Sequence, residues 1–543
     1  MSVRFLLTAL FALCLLTSGC SQREHPVDTA VRDGILLVGN GTEPATLDPH
    51  LAVGVTEHEI LRALFEGLVT RDGRDLSVRP AVAQSWTISD DGKIYTFTLD
   101  PNARWSNGDP VTASDFLFSF ERMLNPRLGS SYAKMLHPLA GAAAYNRGEN
   151  TDFSRVGVRV IDPLTLELRL HKPLAYFLDL LAHGAWYPVH PPSVLAAGDR
   201  YDRLSRWTRP GKLVGNGPFQ LSEWRLNALV EVTRNPHFRE AEATRLNAIR
   251  FFPIASMDTE ERAFRSGFLH LTHTIPPHRI DWYQNNRADA IHFDTYLGTY
   301  YYTLNVRQPP LNDPRVRRAL AMSIDRQAIV DTILRAGQKP AFHFTPPMTA
   351  GYTSPYQQTF DPQGARKLLA EAGFANGTGF PEVEVLFNTS ESHREIAVAI
   401  QQMWRRELGI RVRLHNEEWK VYLDSRRAGR FEILRAGWIG DYNDPSTFLE
   451  LFTRASGNNP SGWSHDDYEK WLAAARASRD PDERKLLFGK AETLLLQEAP
   501  VIPLYFYVRS TLIDERVRGR HPNVLDFHPW QAIYFATEGS DEP

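Results

Sequence analysis

The sequence predicts an α/β protein of mixed α+β type, with mixed sheets, and three observations carry that reading. Segments of alternating apolar pattern are interspersed irregularly with segments of helical periodicity, and no repeated βα unit appears. Asp-Pro pairs at 313–314, 361–362 and 480–481 each read as an N-cap followed by proline at the first helical position. The chain has 543 residues, enough for about three or four units of roughly 100–200 residues each, and shows no internal repeat.

Taken in order, Ile94–Leu99 (IYTFTL) alternates and reads as a strand. Segments 158–161 and 164–170 flank an Asp162-Pro163 turn, the pattern of a hairpin with one wet face. Segments 229–233 and 249–254 are further strands. The helix opened at Asp313 runs through Val316, Leu320 and Ile324, and the one opened at Asp361 carries Leu368 with Gly373 as its C-cap. Ile396, Ile400 and Met403 line one helical face, and the helix opened at Asp480 contains Leu487, Leu494 and Leu495.

Composition narrows the function. Hydrophobic residues make up 43%, charged residues 23% and aromatics 11%, so a large core is available. Against 64 acidic residues stand 61 basic ones, and a net charge of -3 leaves no electrostatic footprint for nucleic acid. The two cysteines, Cys14 and Cys20, both fall in the first twenty residues, so no disulfide and no thiolate metal site is expected in the body. There Arg4, an apolar run over 5–16 and the small residues Thr17, Ser18 and Gly19 precede Cys20, as in an export signal. The segment LTSGC resembles a bacterial lipoprotein box, although its leucine, Leu16, stands one position early. On that resemblance residues 1–19 are a signal peptide, Cys20 is the lipidated N-terminus and 20–29 a polar tether. Removing 1–19 deletes Arg4 and leaves a net charge of about -4. No other run reaches about 18 apolar residues, so the lipid anchor is the expected membrane contact.

Three enzymatic motifs fail on inspection. Ser131-Tyr132-Ala133-Lys134 has the SxxK spacing of penicillin-recognising serine enzymes, and Ser456-Gly457-Asn458 imitates their second element, but no Lys-Thr-Gly follows. A serine acyl-transferase is therefore a weak alternative. His270 and His273 lie in a strand or loop without HExxH and read as surface histidines. Gly39-Asn40-Gly41 lacks the Gly-Lys-Ser/Thr of a phosphate loop. A large exported chain rich in aromatics and without a reactive constellation points to binding, with no catalytic residue, metal or cofactor.

From 47 to 507 the chain resembles the oligopeptide-binding proteins of bacterial ABC importers, the extracytoplasmic solute-binding family 5. The carrying segments are LDPHLAVGVTEHEILRALFEGL, ARWSNGDPVTASDFLFSFERMLNP, GNGPFQLSEW, PPLNDPRVRRALAMSIDR, ARKLLAEAGF and ILRAGWIGDYNDPSTFL. The resemblance implies a three-lobed periplasmic-binding-protein type II-like clamp around a ligand-enclosing cleft. Lobe I comprises 27–65, 192–297 and 508–543, lobe II 66–191, and lobe III 298–507. It implies an extracytoplasmic, ATP-independent carrier, expected to be a monomer, that passes oligopeptides to an ABC permease and its ATPase subunits. Within the family a specialised carrier of murein peptides, dipeptides or a nickel or haem chelate is the alternative.

A general peptide carrier must hold what all peptides share, the main chain and the termini. By resemblance, Asp441 receives the α-amino group, and His393, Arg426 and Arg435 are cations for carboxylates presented at different depths. Gly437 and Ile439, and Val53, Gly54 and Val55 on the opposite lobe, match main-chain contacts; Trp419 and Trp438 match aromatics of the side-chain pockets. Two departures stand out. The disulfide of some relatives is replaced by Gly298 and Ile439, and a glutamate of their first contact loop is Val53.

Overall fold

The computed structural model describes residues 24–536 except 175, 348 and 479. Cys20, the signal segment 1–19 and the first residues of the tether lie outside the described residues. Three larger sheets organise the chain, and the fold is the mixed α/β type that the sequence predicts.

After helix α1 (Pro26–Arg32), strand β1 (Ile35–Gly39) enters the first sheet, and helix α2 (Val55–Leu64) follows. The second sheet is antiparallel, with β2 (Ala83–Ile88), β3 (Ile94–Leu99), β4 (Val158–Asp162) and β5 (Thr165–Arg169) in the order β2-β3-β5-β4. In β3, Tyr95, Phe97 and Leu99 are buried while Thr96 and Thr98 alternate with them, the one-face pattern legible in the sequence. The chain then returns to the first sheet as β6 (Phe219–Arg225), β7 (Leu229–Arg234) and β8 (Ala248–Phe252), in the order β1-β8-β7-β6, with β1 and β8 parallel.

The third sheet has six strands: β9 (Ile291–Leu304), β10 (Lys339–Pro340), β11 (Val383–Asn388), β12 (Val412–Glu417), β13 (Ile433–Ile439) and β14 (Val501–Leu512). Their order is β10-β14-β9-β13-β11-β12. β9 and β14 form one long antiparallel ribbon, paired from Ile291–Leu512 to Thr295–Val508 and again from Thr299–Phe506 to Thr303–Val501, with a smaller register shift between Tyr300 and Tyr301 in the second stretch. Between these stretches the register breaks, so that residues 296–298 face Tyr507 alone. Gly298 and Ile439, where some relatives carry a disulfide, are direct cross-strand partners.

Helices cover this sheet. Asp313 caps Pro314–Met322 through its side chain, Asp361 caps Pro362–Glu371 and Asp480 caps Pro481–Glu498, each with proline in the first turn as the Asp-Pro pairs predict. The C-cap of the second is Ala372; Gly373 follows it in the left-handed region, at φ 95°. Ile396, Ile400 and Met403 are buried on one face of Glu391–Leu408. β14 was not apparent as a strand because its sequence, VIPLYFYVRSTL, is nearly continuously apolar at its start, as suits a strand covered on both faces.

Candidate functional site

The site is built on β13, whose sequence is ILRAGWI. On one edge β13 pairs with β9 over its whole length, from Ile433–Leu304 to Ile439–Gly298. On the other edge β11 pairs with it only at Ile433 and Leu434. From Arg435 to Ile439 that second edge has no strand partner among the described residues, and it borders a cavity of about 440 Å³. A cavity of this size lies within the usual range for ligand sites, and unpaired strand edges offer N–H and C=O groups to an extended partner. Gly437 is required by packing: a Cβ there would overlap the Tyr507 hydroxyl.

Opposite β13, Val53-Gly54-Val55 leads into α2 and lines the same cavity. Here a glycine is again required, because a Cβ at Gly54 would strike the Glu57 carboxylate and the Trp419 ring. Glu57 is fully buried and accepts hydrogen bonds from Ala45 N–H (2.7 Å), the Thr56 hydroxyl (3.0 Å) and Trp419 Nε1–H (3.1 Å). Burial pushes its pKa up against those donors. The Trp419 contact spans the cavity from α2 to the helix Trp419–Ala428. Trp438 is anchored differently, donating Nε1–H to Thr447 O at 2.8 Å.

Asp441 lies two residues past the end of β13, after Gly440. Its backbone N–H donates to Thr447 Oγ1 (2.9 Å), its carbonyl accepts from Arg71 Nη2 (3.0 Å), and its Oδ1 lies 3.2 Å from His183 Nε2. The His183 ring sits beside those of His58 and Tyr132, with centroids 5.0 and 4.9 Å away. Burial, reinforced by the nearby His183 and Arg62, holds His58 neutral.

Arg435 begins the open edge at its other end, and His393 lies beside it. Arg435 donates to Asn388 Oδ1 (3.2 Å) and to the Tyr507 hydroxyl (2.8 Å), and its guanidinium lies 4.5 Å from the Tyr300 ring centre. His393 is pushed well below the ordinary histidine pKa, first by burial and then by the Arg435 charge. That direction favours a neutral hydrogen-bonding imidazole where the resemblance implies a cation.

Among the site positions singled out from the sequence within the described residues, the structure brings all to the cavity except Arg426. Arg426 sits outside its lining and donates to Asn458 O (3.2 Å) and Oδ1 (3.4 Å). Sequence reasoning gave no site role to Arg71, His183, Asn388 and Tyr507, which belong to no motif, nor to Tyr132 of the SxxK segment or to Glu57, which backs the Val53–Val55 loop.

The remaining motifs have other partners. Lys134 of the SxxK segment donates to Thr453 Oγ1 (2.6 Å) and Glu450 O (3.0 Å) and lies 3.3 Å from Glu450 Oε2, so its amine is engaged away from Ser131. His270 is buried, not a surface residue: Leu37 N–H donates to its Nδ1 (3.0 Å), and its Nε2 reaches Val27 O (3.2 Å). His273 lines the cavity beside Glu260, whose carboxyl accepts the N–H groups of His273 and Thr274. Burial raises Glu260 to about 8. No helix among the described residues is long and apolar enough to cross a membrane.

Comparison with known proteins places this geometry. The profile of the bacterial extracellular solute-binding proteins, family 5 Middle, matches residues 77–460. The periplasmic murein peptide-binding protein MppA of Escherichia coli is 38% identical over 486 residues, 88% of each chain, and the periplasmic oligopeptide-binding protein OppA of that organism is 37% identical over 495, 89% of each. The MppA structure superposes with a TM-score of 0.88 at 36% identity, covering 92% of this chain and 98% of MppA. OppA of Haemophilus influenzae, in complex with RPPGFSPFR, gives 0.88 at 32% identity, with coverage of 93% and 99%. MppA in its unliganded open form gives 0.62 at the same 36% identity, with coverage of 93% and 97%. The lobes here thus differ in arrangement from that open form, and the fold is the family's clamp around a cleft. The chain belongs to the bacterial extracellular solute-binding proteins of family 5.

Proposed function

We propose that this protein is the extracytoplasmic, lipid-anchored capture component of a peptide ABC importer, holding oligopeptides by main chain and termini and delivering them to a permease and its ATPases. The observation that carries the reading is the free edge of β13 from Arg435 to Ile439, which faces a cavity with Asp441 at one end and Arg435 at the other. An extended peptide added to that edge would exchange backbone hydrogen bonds indifferent to its side chains. Its ammonium group would meet the Asp441 carboxylate, and its carboxylate the Arg435 guanidinium and the neutral His393. Val53, Gly54 and Val55 face it from the opposite side, and Trp419 and Trp438 offer flat apolar walls. The relatives' names point the same way, since MppA and the OppA proteins bind murein peptide or oligopeptides.

In this reading the lobes have the boundaries given by the resemblance, lobe I discontinuous, and the clamp closes on the ligand as a monomer. Cys20 carries the lipid. Native mass spectrometry of protein purified without denaturation, followed by calorimetry of stripped protein with di- to pentapeptides, tests the proposal. Retained masses matching peptides and measurable binding of free peptides are expected; neither retained peptide nor binding at any length would overturn it.

A further inference from the structure

Four arginines line the cavity: Arg62, Arg71, Arg435 and Arg509. Arg71 and Arg435 are engaged through well-formed hydrogen bonds, Arg71 with the carbonyls of Asp179 and Asp441 and Arg435 with Asn388 and Tyr507. Arg62 and Arg509 are not. Arg62, in the last turn of α2, has Nη2 2.6 Å from Glu59 Oε1, and Arg509, on β14, has Nε 2.9 Å from Asp526 Oδ2. Both contacts are close ion pairs. Arg62 Nε and Nη2 and Arg509 Nε are buried without a hydrogen-bond acceptor among the described residues; Arg71 Nε and Arg435 Nε are too, but those two side chains are held through their Nη atoms.

The neighbouring carboxylates Glu59 and Asp526, which line the same floor, balance these charges but leave N–H groups over. Asp526 is shared, with His528 Nε2 at 2.8 Å and Arg520 Nη2 at 3.4 Å in addition to Arg509. Glu59 already acts electrostatically on both Arg62 and Arg509. Burying guanidinium N–H groups without acceptors is costly, and a carboxylate offers two acceptors in the planar geometry that guanidinium groups match. The Phe527 ring, 5.4 Å from the Arg62 guanidinium, and Tyr296 form the apolar part of the same floor.

We infer that Arg62 and Arg509 form an anion subsite in the cavity floor, which takes a carboxylate carried by the peptide between its two termini, such as a glutamate or aspartate side chain. The inference rests on the peptide reading above and adds a preference to it. Neither arginine belongs to the set that resemblance assigns to the peptide termini, so the subsite is separate from those that hold the ammonium and carboxylate ends.

The test is calorimetry of ligand-stripped, full-length protein with tetra-alanine and with tetrapeptides carrying Glu or its isostere Gln at position 2 or 3. At one position the Glu peptide should bind wild type at least tenfold tighter than its Gln twin, with the ratio shrinking as salt is raised. In Arg62→Gln and Arg509→Gln that ratio should fall toward one, and Arg62→Lys and Arg509→Lys should retain part of it. Equal affinity of Glu and Gln peptides for wild type at both positions overturns the inference without recourse to any variant, as does a ratio unchanged in both Gln variants. If tetra-alanine and every other peptide fail to bind folded wild type, the peptide reading itself falls and the subsite with it.

Discussion

The Nε2 atom of His183 lies 3.2 Å from Oδ1 of Asp441, and the contact joins two segments 258 positions apart across the mouth of the cavity. An incoming ammonium group has to share Asp441 with His183 or displace it. We predict that Asp441→Ala weakens free peptides of every length by about 3–5 kcal/mol, because a buried ammonium would lose its counter-charge. N-acetylated peptides should bind wild type poorly for the complementary reason. Calorimetry showing equal affinity for free and acetylated tripeptides would sink the assignment.

At the opposite end, each residue added to a peptide moves its carboxylate by about 3.3 Å, more than a hydrogen bond can stretch. Arg435→Ala and His393→Ala should therefore each weaken some lengths more than others in a series of di- to pentapeptides. Arg426→Ala, outside the cavity lining, should change affinity less than about threefold at the lengths that Arg435 serves. Uniform losses across lengths for Arg435→Ala and His393→Ala would mean that these residues only maintain the surrounding structure.

Lys134 and Glu450 tie the proposed second and third lobes together beside the cavity. Burial opposes the charge on Glu450, but Arg476 and Lys134 together hold its pKa down to about 2. A depressed carboxylate pKa contributes stability above its unfolded value of 4.5 and loses it only as pH falls toward 2. We predict that Lys134→Ala speeds release of all peptides by roughly three- to thirtyfold, a cost of about 1–2 kcal/mol in the closed state, to a similar degree at pH 5.5 and 7. Stopped-flow release rates that match wild type would show that the contact carries no closing energy.

Glu260 is the reverse case. Its folded pKa of about 8 exceeds the unfolded 4.5, so the folded state binds more protons between those values. Stability should fall as pH rises from about 5 through 8 and level off beyond. Glu260→Gln, neutral at every pH, should flatten that decline in urea melts at pH 5, 6.5 and 8; a variant retaining the wild-type slope would assign it to another group.

Membrane attachment is expected to depend on Cys20. Cys20→Ser protein should move from the membrane to the soluble fraction on cell fractionation, since multiple acyl chains are needed for stable anchoring. Equal membrane retention of variant and wild type would count against lipidation.

How much of this was legible in the sequence depended on exposure. The hairpin β4-β5 and the helices opened by Asp-Pro pairs were readable because one face is wet or because a cap writes itself in two residues. β14 has no such contrast. The site positions around RAGWIGD came from the resemblance, since a strand edge left unpaired by its neighbour has no signature of its own. Arg426, seven residues after Trp419 on one helix, shares that residue's face but lies about 10.5 Å further along the axis, which sets it outside the cavity lining. Tyr132 and His183 were invisible because each flanks a short 3₁₀ turn and meets Asp441 or Trp438 only through the fold.

The interrupted register of the β9–β14 ribbon bears on the timing of unloading. Because residues 296–298 stand opposite Tyr507 alone, the ribbon can bend there while the ladders on either side keep their hydrogen bonds. Swinging the proposed lobes apart would then concentrate the bend in this bulge, where Leu297 bonds to Val524 O and Gly440 N–H instead of to β14. On the proposed function, the residence time of a cargo would be set by the contacts that must part around it, such as Trp419 with Glu57, Lys134 with Glu450 and His183 with Asp441. A transporter docked against the outside could hasten discharge by loosening those rim contacts, without touching the peptide.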